Sequence, residues 1–232
     1  MATMIDTGEF ALGAPALVCR WRLAGGRLVM QGRHLRALAA RTVDGAPVTA
    51  GLVAWVSQHV EWTLEAGSAE HPDGVLMLIV DDKGHAAMTV GAYESLPSTI
   101  LTSLMERAKG AAREREQTGI APETLWVVSG RKLLWNGVPG EPSSGSATLV
   151  SDLARTMGYQ VIRRRDLLDE LARGLTTYDE AFLVSDEHGI VPASDHDGSC
   201  AARFADGYAR LLAATTKRVL LSEPRLKKPT QI

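Results

Sequence analysis

The sequence is poor in cysteine and in aromatic residues, and its positive and negative charges nearly cancel. Two of its 232 residues are cysteines, Cys19 and Cys200, and neither lies in the Cys-x-x-Cys spacing of zinc and redox motifs. Lysine and arginine (25) almost balance aspartate and glutamate (27), so a net charge of -2 creates no field that would attract a polyanion. We therefore expect no disulfide framework, no structural zinc and no nucleic-acid partner.

Long apolar runs are also missing. No stretch reaches the ~18 consecutive apolar residues of a membrane helix, and the first residues lack the basic region and apolar run of a secretory signal. We expect no membrane partner and a cytoplasmic protein. The composition, 45% hydrophobic and 22% charged, is typical of a soluble globular protein with one large or two small domains.

The first part of the chain predicts an antiparallel sheet with helices on one side. Alternating polarity over residues 16–23, followed by Gly25-Gly26, indicates a hairpin. Helical spacing of apolar residues follows over 34–41 and 48–66, the second helix without a clear N-cap. A continuous apolar strand from residue 74 then turns at Asp82-Lys83-Gly84 into a partner strand, and the whole forms an α+β layer.

The second part repeats this mixture of helices and strands. Ser98 or Thr99 is expected to cap a helix that runs to about Gln117. The remaining predicted elements are a hairpin over 124–135, helices over 146–157, 166–172 and 201–213, and strands over 159–163, 181–184 and 190–193.

Several strings, in this order along the chain, carry a resemblance to a known family. They are VCRWRLAGGRLVMQGRHLRAL, GVLMLIVDDKG, ATLVSDLARTMGYQV and YDEAFLVSDEHGIVPASDHDG. Over roughly residues 14 to 213 the chain resembles the class IV aminotransferases, which include branched-chain and D-amino-acid aminotransferases and aminodeoxychorismate lyase. The resemblance implies a homodimer of a two-domain α+β fold. A small N-terminal α/β sandwich would span residues 1–94, a larger β-rich domain 95–215, and a flexible tail 216–232.

The family also implies pyridoxal phosphate (PLP), held by a lysine through a Schiff base, an acidic partner for the pyridinium nitrogen, and donors around the phosphate. The lysine belongs to a K-[ST]-x-N string, which in the best register reads Ser98-Thr99-Ile100-Leu101 here. Serine therefore stands where the lysine is expected. The acidic partner belongs to an E-G-S-x-S-N string that is shortened here, and Glu123 falls beside the wrong part of it.

Two phosphate-binding strings of the family are altered as well. The arginine of H-L-x-R-L corresponds to Ala37, while Arg36 lies one residue early, about 100° around a helix. The T-G-T-A turn is replaced by Ser185-Asp186-Glu187-His188, whose carboxylates would repel a phosphate dianion. The glycine-rich loop before residue 146 can still present amides to an anion. We expect that the protein binds no cofactor; PLP is the alternative.

The resemblance also selects candidate site residues. His188 and His196 lie where the mouth of the family's active site would be and are candidates for acid–base catalysis, and Asp186 and Glu187 are further catalytic candidates. Lys109 is the candidate for a relocated Schiff-base lysine, although an exposed helix lysine is by far the commoner case. The candidates for substrate binding are Arg20, Arg22, Arg36, Ser98 and Thr99.

Other residues suggest ordinary structural roles. The densest group of potential ligands for a divalent metal comprises Asp186, Glu187, His188, Asp195, His196, Asp197 and Cys200, but it lacks a fixed ligand spacing, so no metal site is predicted. Trp55 and Trp62, seven residues apart, are expected in the core or a dimer interface.

Three functional hypotheses remain open from the sequence. The first is a protein that has lost PLP and uses the interdomain cleft for another small molecule, with cofactor-independent chemistry. The second is a working PLP-dependent aminotransferase or lyase with a displaced lysine. The third is a non-catalytic pseudo-enzyme that acts by binding a partner.

Overall fold

The structure is a computed structural model that describes residues 12–222, with side chains up to Lys217. The first half contains, in chain order, β1 (Pro15–Ala24), β2 (Arg27–Leu28), α1 (Gln31–Ala39), β3 (Thr42–Val43), β4 (Ala46–Pro47), α2 (Ala50–Gly67), β5 (Val75–Asp81) and β6 (Ala86–Gly91). Four of the strands form an antiparallel sheet in the order β2-β1-β5-β6, and β3 pairs with β4 alone. Both predicted hairpins are therefore confirmed.

The faces of β1 follow its alternating sequence. Leu17, Cys19, Trp21 and Leu23 are buried in a core formed with α1, α2 and β5. The alternate residues, which include Arg20 and Arg22, lie on the opposite face because successive side chains of a strand point to opposite sides. This face is turned toward the second half of the chain.

Helix α2 has a cap that the sequence did not reveal. The Thr49 side chain accepts a hydrogen bond from the Leu52 N–H at 3.1 Å. The predicted helix began at residue 48, which placed Thr49 inside it, so the cap was missed. The helix begins at Ala50.

The second half contains α3 (Leu101–Thr118), β7 (Glu123–Ser129), β8 (Lys132–Trp135), α4 (Gly145–Thr156), β9 (Gln160–Arg163), α5 (Leu167–Ala172), β10 (Glu180–Ser185), β11 (Gly189–Pro192) and α6 (Ser199–Ser222). Its sheet has the order β11-β10-β7-β8-β9, in which only β8 and β9 are parallel. One core packs α4 and α6 on one face, and a second packs α3 and α5 on the other. Burial on both faces explains why β7 and β10 are continuous apolar runs.

The predicted cap of α3 is wrong. Neither Ser98 nor Thr99 caps the helix; the Leu101 N–H donates to Asp195 Oδ1 at 2.7 Å, from a residue 94 positions away. Ser98 instead accepts from Ser103, and the Thr99 carbonyl accepts from the Ser194 N–H. A cap supplied by tertiary packing leaves no local sequence signal.

Helix α6 is longer than predicted. It continues past residue 213 to Ser222, so residues 216–222 of the predicted flexible tail are helical. The rest of that tail, 223–232, lies outside the described residues. No helix in the described range is long and apolar enough to cross a membrane.

Candidate functional site

The two sheets meet where the outer face of β1 faces the turn between β10 and β11. The Arg22 N–H donates to the Asp186 carbonyl at 3.2 Å, and Arg20 Nε lies 4.0 Å from Glu187 Oε2. The Asp186 N–H donates to the Pro122 carbonyl, which fixes the turn to the start of β7. The structure thus brings the predicted residues Arg20, Arg22, Asp186, Glu187 and His188 together.

A cleft of about 250 Å³ opens at this junction. It is smaller than the about 300–1,000 Å³ that ordinary ligand pockets occupy. Its lining contains both signs of charge and no lysine. The lining residues are Val18, Arg20, Arg107, Gly110, Ala111, Glu114, Pro122, Glu123, Ser185 and Glu187.

An ion pair at the base of the cleft joins α3 to β7. Arg107 donates from Nε to Glu123 Oε2 at 3.0 Å and from Nη2 to Glu123 Oε1 at 2.7 Å, a bidentate geometry. The buried Ser185 hydroxyl also donates to Glu123 Oε1, at 2.9 Å. Glu123 is therefore held in one orientation, with its acceptors directed at this arginine and serine.

His188 is fixed in one tautomer by the same arginine. Its Nε2 lies 3.1 Å from Arg107 Nη2, and because a guanidinium can only donate, Nε2 accepts and Nδ1 carries the hydrogen. Burial, and next the charge of Arg107, lower the pKa of His188 to about 4. His188 is thus a neutral imidazole that presents an N–H donor at Nδ1.

Asp186 is enclosed between the two halves of the chain, with 3% of its surface exposed. Its Oδ1 accepts from the Ser146 N–H at 2.8 Å in the first turn of α4, and its Oδ2 lies 3.7 Å from His34 Nδ1. Burial raises the pKa of Asp186, but His34 and the Ser146 N–H more than offset this effect, so the pKa lies below its usual range. Asp186 is therefore an ionised carboxylate at a helix N-terminus.

Glu187 differs from Asp186 in its environment. Burial raises the pKa of Glu187, and the nearby Arg20 only partly opposes this shift. Glu187 consequently keeps its proton to a higher pH than an ordinary surface carboxyl does. Of the neighbouring acidic groups on this turn, one is held ionised and the other is disposed to carry a proton.

Several buried polar atoms around the junction have no hydrogen-bond partner among the described residues. Each is a group that structures normally pair with another polar atom or a ligand. They are Arg22 Nη1, His34 Nε2, Ser146 Oγ, His188 Nδ1 and Tyr208 Oη.

Aromatic rings hold part of this group in place. The Arg22 guanidinium lies 3.5 Å above the centre of the Tyr93 ring, and the Tyr93 and His188 rings are 5.7 Å apart. Tyr208 packs directly against Gly189, where an added Cβ would lie 2.2 Å from the ring. Donors from β1, the β10–β11 turn and α6 are thus gathered at the interdomain junction.

Other predicted site residues lie elsewhere. Lys109 pairs with Glu106 on α3, at 2.7 Å, and is absent from the cleft lining. Arg36 is on the exposed side of α1. Ser98 and Thr99 are engaged in the segment before α3, as described above.

The prediction of no metal site concerned Asp186, Glu187 and His188 together with Asp195, His196, Asp197 and Cys200. Asp195 caps α3, and the Cys200 N–H donates to Glu180. Within residues 12–222, no three His, Cys, Asp or Glu side chains are grouped closely enough to hold a metal ion.

The sequence did not identify Arg107, His34, Tyr93 or Tyr208 as parts of the junction. Arg107 lies among other charged residues of α3, and His34 was used only to place the neighbouring positions of its string. Their roles arise from contacts between distant segments.

A larger cavity, of about 660 Å³, lies between β2, α2 and α6. Its ionisable lining residues are Arg27, Glu61 and Glu65. None of the predicted site residues borders it. We therefore place the candidate site at the smaller interdomain cleft.

Solved structures share this architecture. A fold IV-transaminase from Curtobacterium pusillum superposes with a TM-score of 0.58 at 16% identity, over 92% of each chain. A hypothetical aminotransferase from Mycobacterium tuberculosis, in its PLP-bound form, superposes with a TM-score of 0.53 at 15% identity, over 93% of this chain and 96% of that one. For 4-amino-4-deoxychorismate lyase from Pseudomonas aeruginosa the TM-score is 0.50 at 17% identity, over 84% and 90%.

These likenesses concern the fold, since the identities are low. No protein-family model matches the sequence, and no curated protein matches it significantly. Fold does not determine chemistry, which depends on the site. The chain has the two-domain α+β fold of the class IV aminotransferases, as its sequence resemblance predicts.

Proposed function

We propose that this protein does not use PLP and binds another small, acidic molecule in its interdomain cleft. The chemistry proposed there is proton transfer from Glu187, without a cofactor. The proposal rests on the position of one side chain, Asp186. The absence of lysine from the cleft lining and the presence of arginine there support it.

The observation that carries the proposal is the buried Asp186 carboxylate at the start of α4. In the family resemblance, residues 185–188 replace the phosphate-binding turn. Here the Ser146 N–H, a donor of the kind that would bind a phosphate, is already bonded to Asp186 Oδ1 at 2.8 Å. A phosphate dianion would also be repelled by this carboxylate at short range. The residues present do not fit PLP.

The lysines give independent support. Lys109, the candidate for a displaced Schiff-base lysine, is held by Glu106 outside the cleft lining. An aldehyde cofactor needs an amine within reach of its binding site. The cleft offers arginines, which remain protonated and cannot form that bond.

The arginines favour an acidic ligand. Arg20 is half exposed, with Glu187 4.0 Å away as its nearest carboxylate. Arg22 Nη1 has no hydrogen-bond partner within residues 12–222, although its guanidinium is held on Tyr93. Arg20 lines the cleft, so a ligand carboxylate could accept from its guanidinium. Glu187, with its raised pKa, is then placed to give up a proton to the ligand.

Incubation with PLP tests the first half of the proposal. We expect the wild-type protein to develop no visible absorption band and to carry no added mass on any lysine after borohydride reduction. A band with a reduced adduct on a lysine would overturn the proposal. The variant Lys109→Ala then separates the alternatives: loss of the adduct would identify the displaced-lysine enzyme.

A thermal-shift screen of small carboxylic acids tests the second half. We expect one or more acids to raise the melting temperature of the wild type, and the effect to be lost in Arg20→Ala, which removes a guanidinium from the cleft lining. Arg36→Ala is the matched control, because this arginine is exposed on α1. Equal responses in both variants would contradict binding at the cleft.

A further inference from the structure

The α4 N-terminus, with the side chains around it, has the composition of an oxyanion site. The helix has 12 residues, so its dipole and free N–H groups favour a negative charge at its start. His34 and Ser146 are each 1% exposed, and both ring nitrogens of His34, as well as Ser146 Oγ, have no hydrogen-bond partner within the described range. Two buried, unpartnered polar groups thus adjoin the helix terminus.

The occupant of this site is part of the chain. Asp186 Oδ1 accepts from the Ser146 N–H, and Asp186 Oδ2 lies 3.7 Å from His34 Nδ1, too far for a hydrogen bond but close enough for a charge interaction. The two carboxylate oxygens face the helix and the imidazole as two oxygens of a bound anion would. The carboxylate therefore neutralises a pocket that would otherwise attract an external anion.

The backbone holds Asp186 independently of its side chain. Its N–H donates to Pro122 and its carbonyl accepts from the Arg22 N–H. Asp186 does not have a positive φ, so its backbone conformation is sterically allowed for alanine. Removal of the carboxylate should thus empty the oxyanion site without displacing the turn.

We infer that Asp186 is a built-in occupant that closes this oxyanion site, so that the cleft selects unphosphorylated acids and rejects phosphate esters. The inference rests on the proposed function for its ligand, but the closed site itself does not depend on it. A chain that lacks the Asp186 carboxylate should bind inorganic phosphate between α4 and His34. The wild-type chain should not.

The test is a titration of Asp186→Ala with inorganic phosphate at constant ionic strength. We expect about 10 mM phosphate to raise its melting temperature by about 2–5 °C, and calorimetry to give a dissociation constant at least about tenfold lower than for the wild type. The double variant Asp186→Ala/His34→Ala should lose most of this gain. If phosphate raised the melting temperature of the wild type as much as that of Asp186→Ala, the inference would be overturned.

Glu187→Ala is the matched control, because it removes one negative charge from the same turn without touching the helix terminus. We expect no phosphate binding by this variant. If Glu187→Ala gained as much affinity for phosphate as Asp186→Ala, the change in net charge would explain the effect, and the closed site would be refuted. If Asp186→Ala does not fold in buffer without phosphate, refolding becomes the measurement. Recovery of a cooperative melt in phosphate, but not in chloride of equal ionic strength, supports the inference, and recovery in neither refutes it.

The two proposals can fail separately. A lysine-bound PLP adduct on the wild type would defeat the proposed function, whatever Asp186→Ala binds. If Asp186→Ala bound phosphate but the wild type bound no acid, the closed oxyanion site would be supported and the proposed function would not. Failure of Asp186→Ala to bind phosphate would remove the further inference while a carboxylic-acid ligand of the wild type remained.

Discussion

Arg107 and Glu123 face each other across the base of the cleft as a two-point ion pair, and the same guanidinium donates to His188. One arginine therefore fixes both the carboxylate of β7 and the tautomer of the imidazole on the β10–β11 turn. Glu123 has 11% of its side chain exposed, so little water could replace this partner if it were removed.

Replacing Arg107 by alanine should have two measurable effects. Stability should fall by about 1–3 kcal/mol, because a largely buried carboxylate loses its guanidinium. The pKa of His188 should rise from about 4, since the arginine charge is the second cause of its depression, but burial should keep it below 6.5. Denaturant unfolding gives the first quantity, and an NMR titration gives the second.

The exposed Arg113, on the same helix, provides the control for this experiment. Arg113→Ala should change neither the stability nor the His188 titration. If His188 in Arg107→Ala still titrates near pH 4, the assigned contact between the two residues is wrong.

The low pKa of His188 predicts that the protein loses stability in mild acid. The unfolded chain takes up a proton on this residue at about pH 6.5, whereas the folded chain does so only at about pH 4. Stability should therefore fall as the pH is lowered through this window, by about 2–3 kcal/mol from this residue. His188→Gln, which can still accept from Arg107, should flatten the curve of unfolding free energy against pH between these limits.

Asp186 contributes to the pH dependence of stability at a lower pH than His188 does, so the two contributions can be measured separately. Its pKa is lowered from 3.8, so its stabilising contribution is complete above that value and is lost as the pH falls through the folded pKa. A variant His188→Gln that retained the full slope between pH 6.5 and 4 would show that another group is responsible.

The cap of α3 provides a prediction about long-range structure. Asp195→Ala removes the acceptor for the Leu101 N–H and should lower the melting temperature by a few degrees, as loss of an N-cap does. Asp197→Ala, an exposed aspartate two residues on, is the control and should leave the melting temperature unchanged. Equal changes in both variants would mean that the Asp195 contact contributes nothing to the helix.

The elements that the sequence predicted depend on local patterns. The hairpin around Gly25-Gly26 and the buried strands β7 and β10 follow from the alternation of residues, turn glycines and apolar runs within ten positions. Gly158, which directly follows the helix predicted over 146–157, has a φ of +79°, the left-handed conformation that a helix end uses.

The features that were missed depend on contacts between distant residues. The acceptor for Leu101 is 94 residues away, and the partners of His188 and Asp186 are 81 and 40 residues away. A resemblance to a family could place Asp186 and His188 in one turn. It could not say that Arg107 binds one of them and Ser146 the other, because no local pattern encodes a tertiary contact.

Gly189, beside His188, is required both by its backbone and by the space around it. It has a φ of +73°, and an added Cβ would lie 2.2 Å from Cε1 of Tyr208. Gly84 has a similar φ, +82°, but nothing lies within 4 Å of its added Cβ. Comparison of the two alanine variants therefore separates backbone strain from steric conflict.

Gly84→Ala should cost about 1–2 kcal/mol, the usual penalty for a left-handed alanine. Gly189→Ala should cost more than this, because the Tyr208 ring must also move or the turn must shift. Denaturant unfolding of both variants gives the difference. The displaced ring should change the environment of the unpartnered Tyr208 hydroxyl as well, and this is measurable as a shift in its ultraviolet titration. Equal unfolding free energies for the two variants would mean that Tyr208 does not pack on the turn that carries His188, and the cluster of donors at the interdomain junction would lose its contribution from α6.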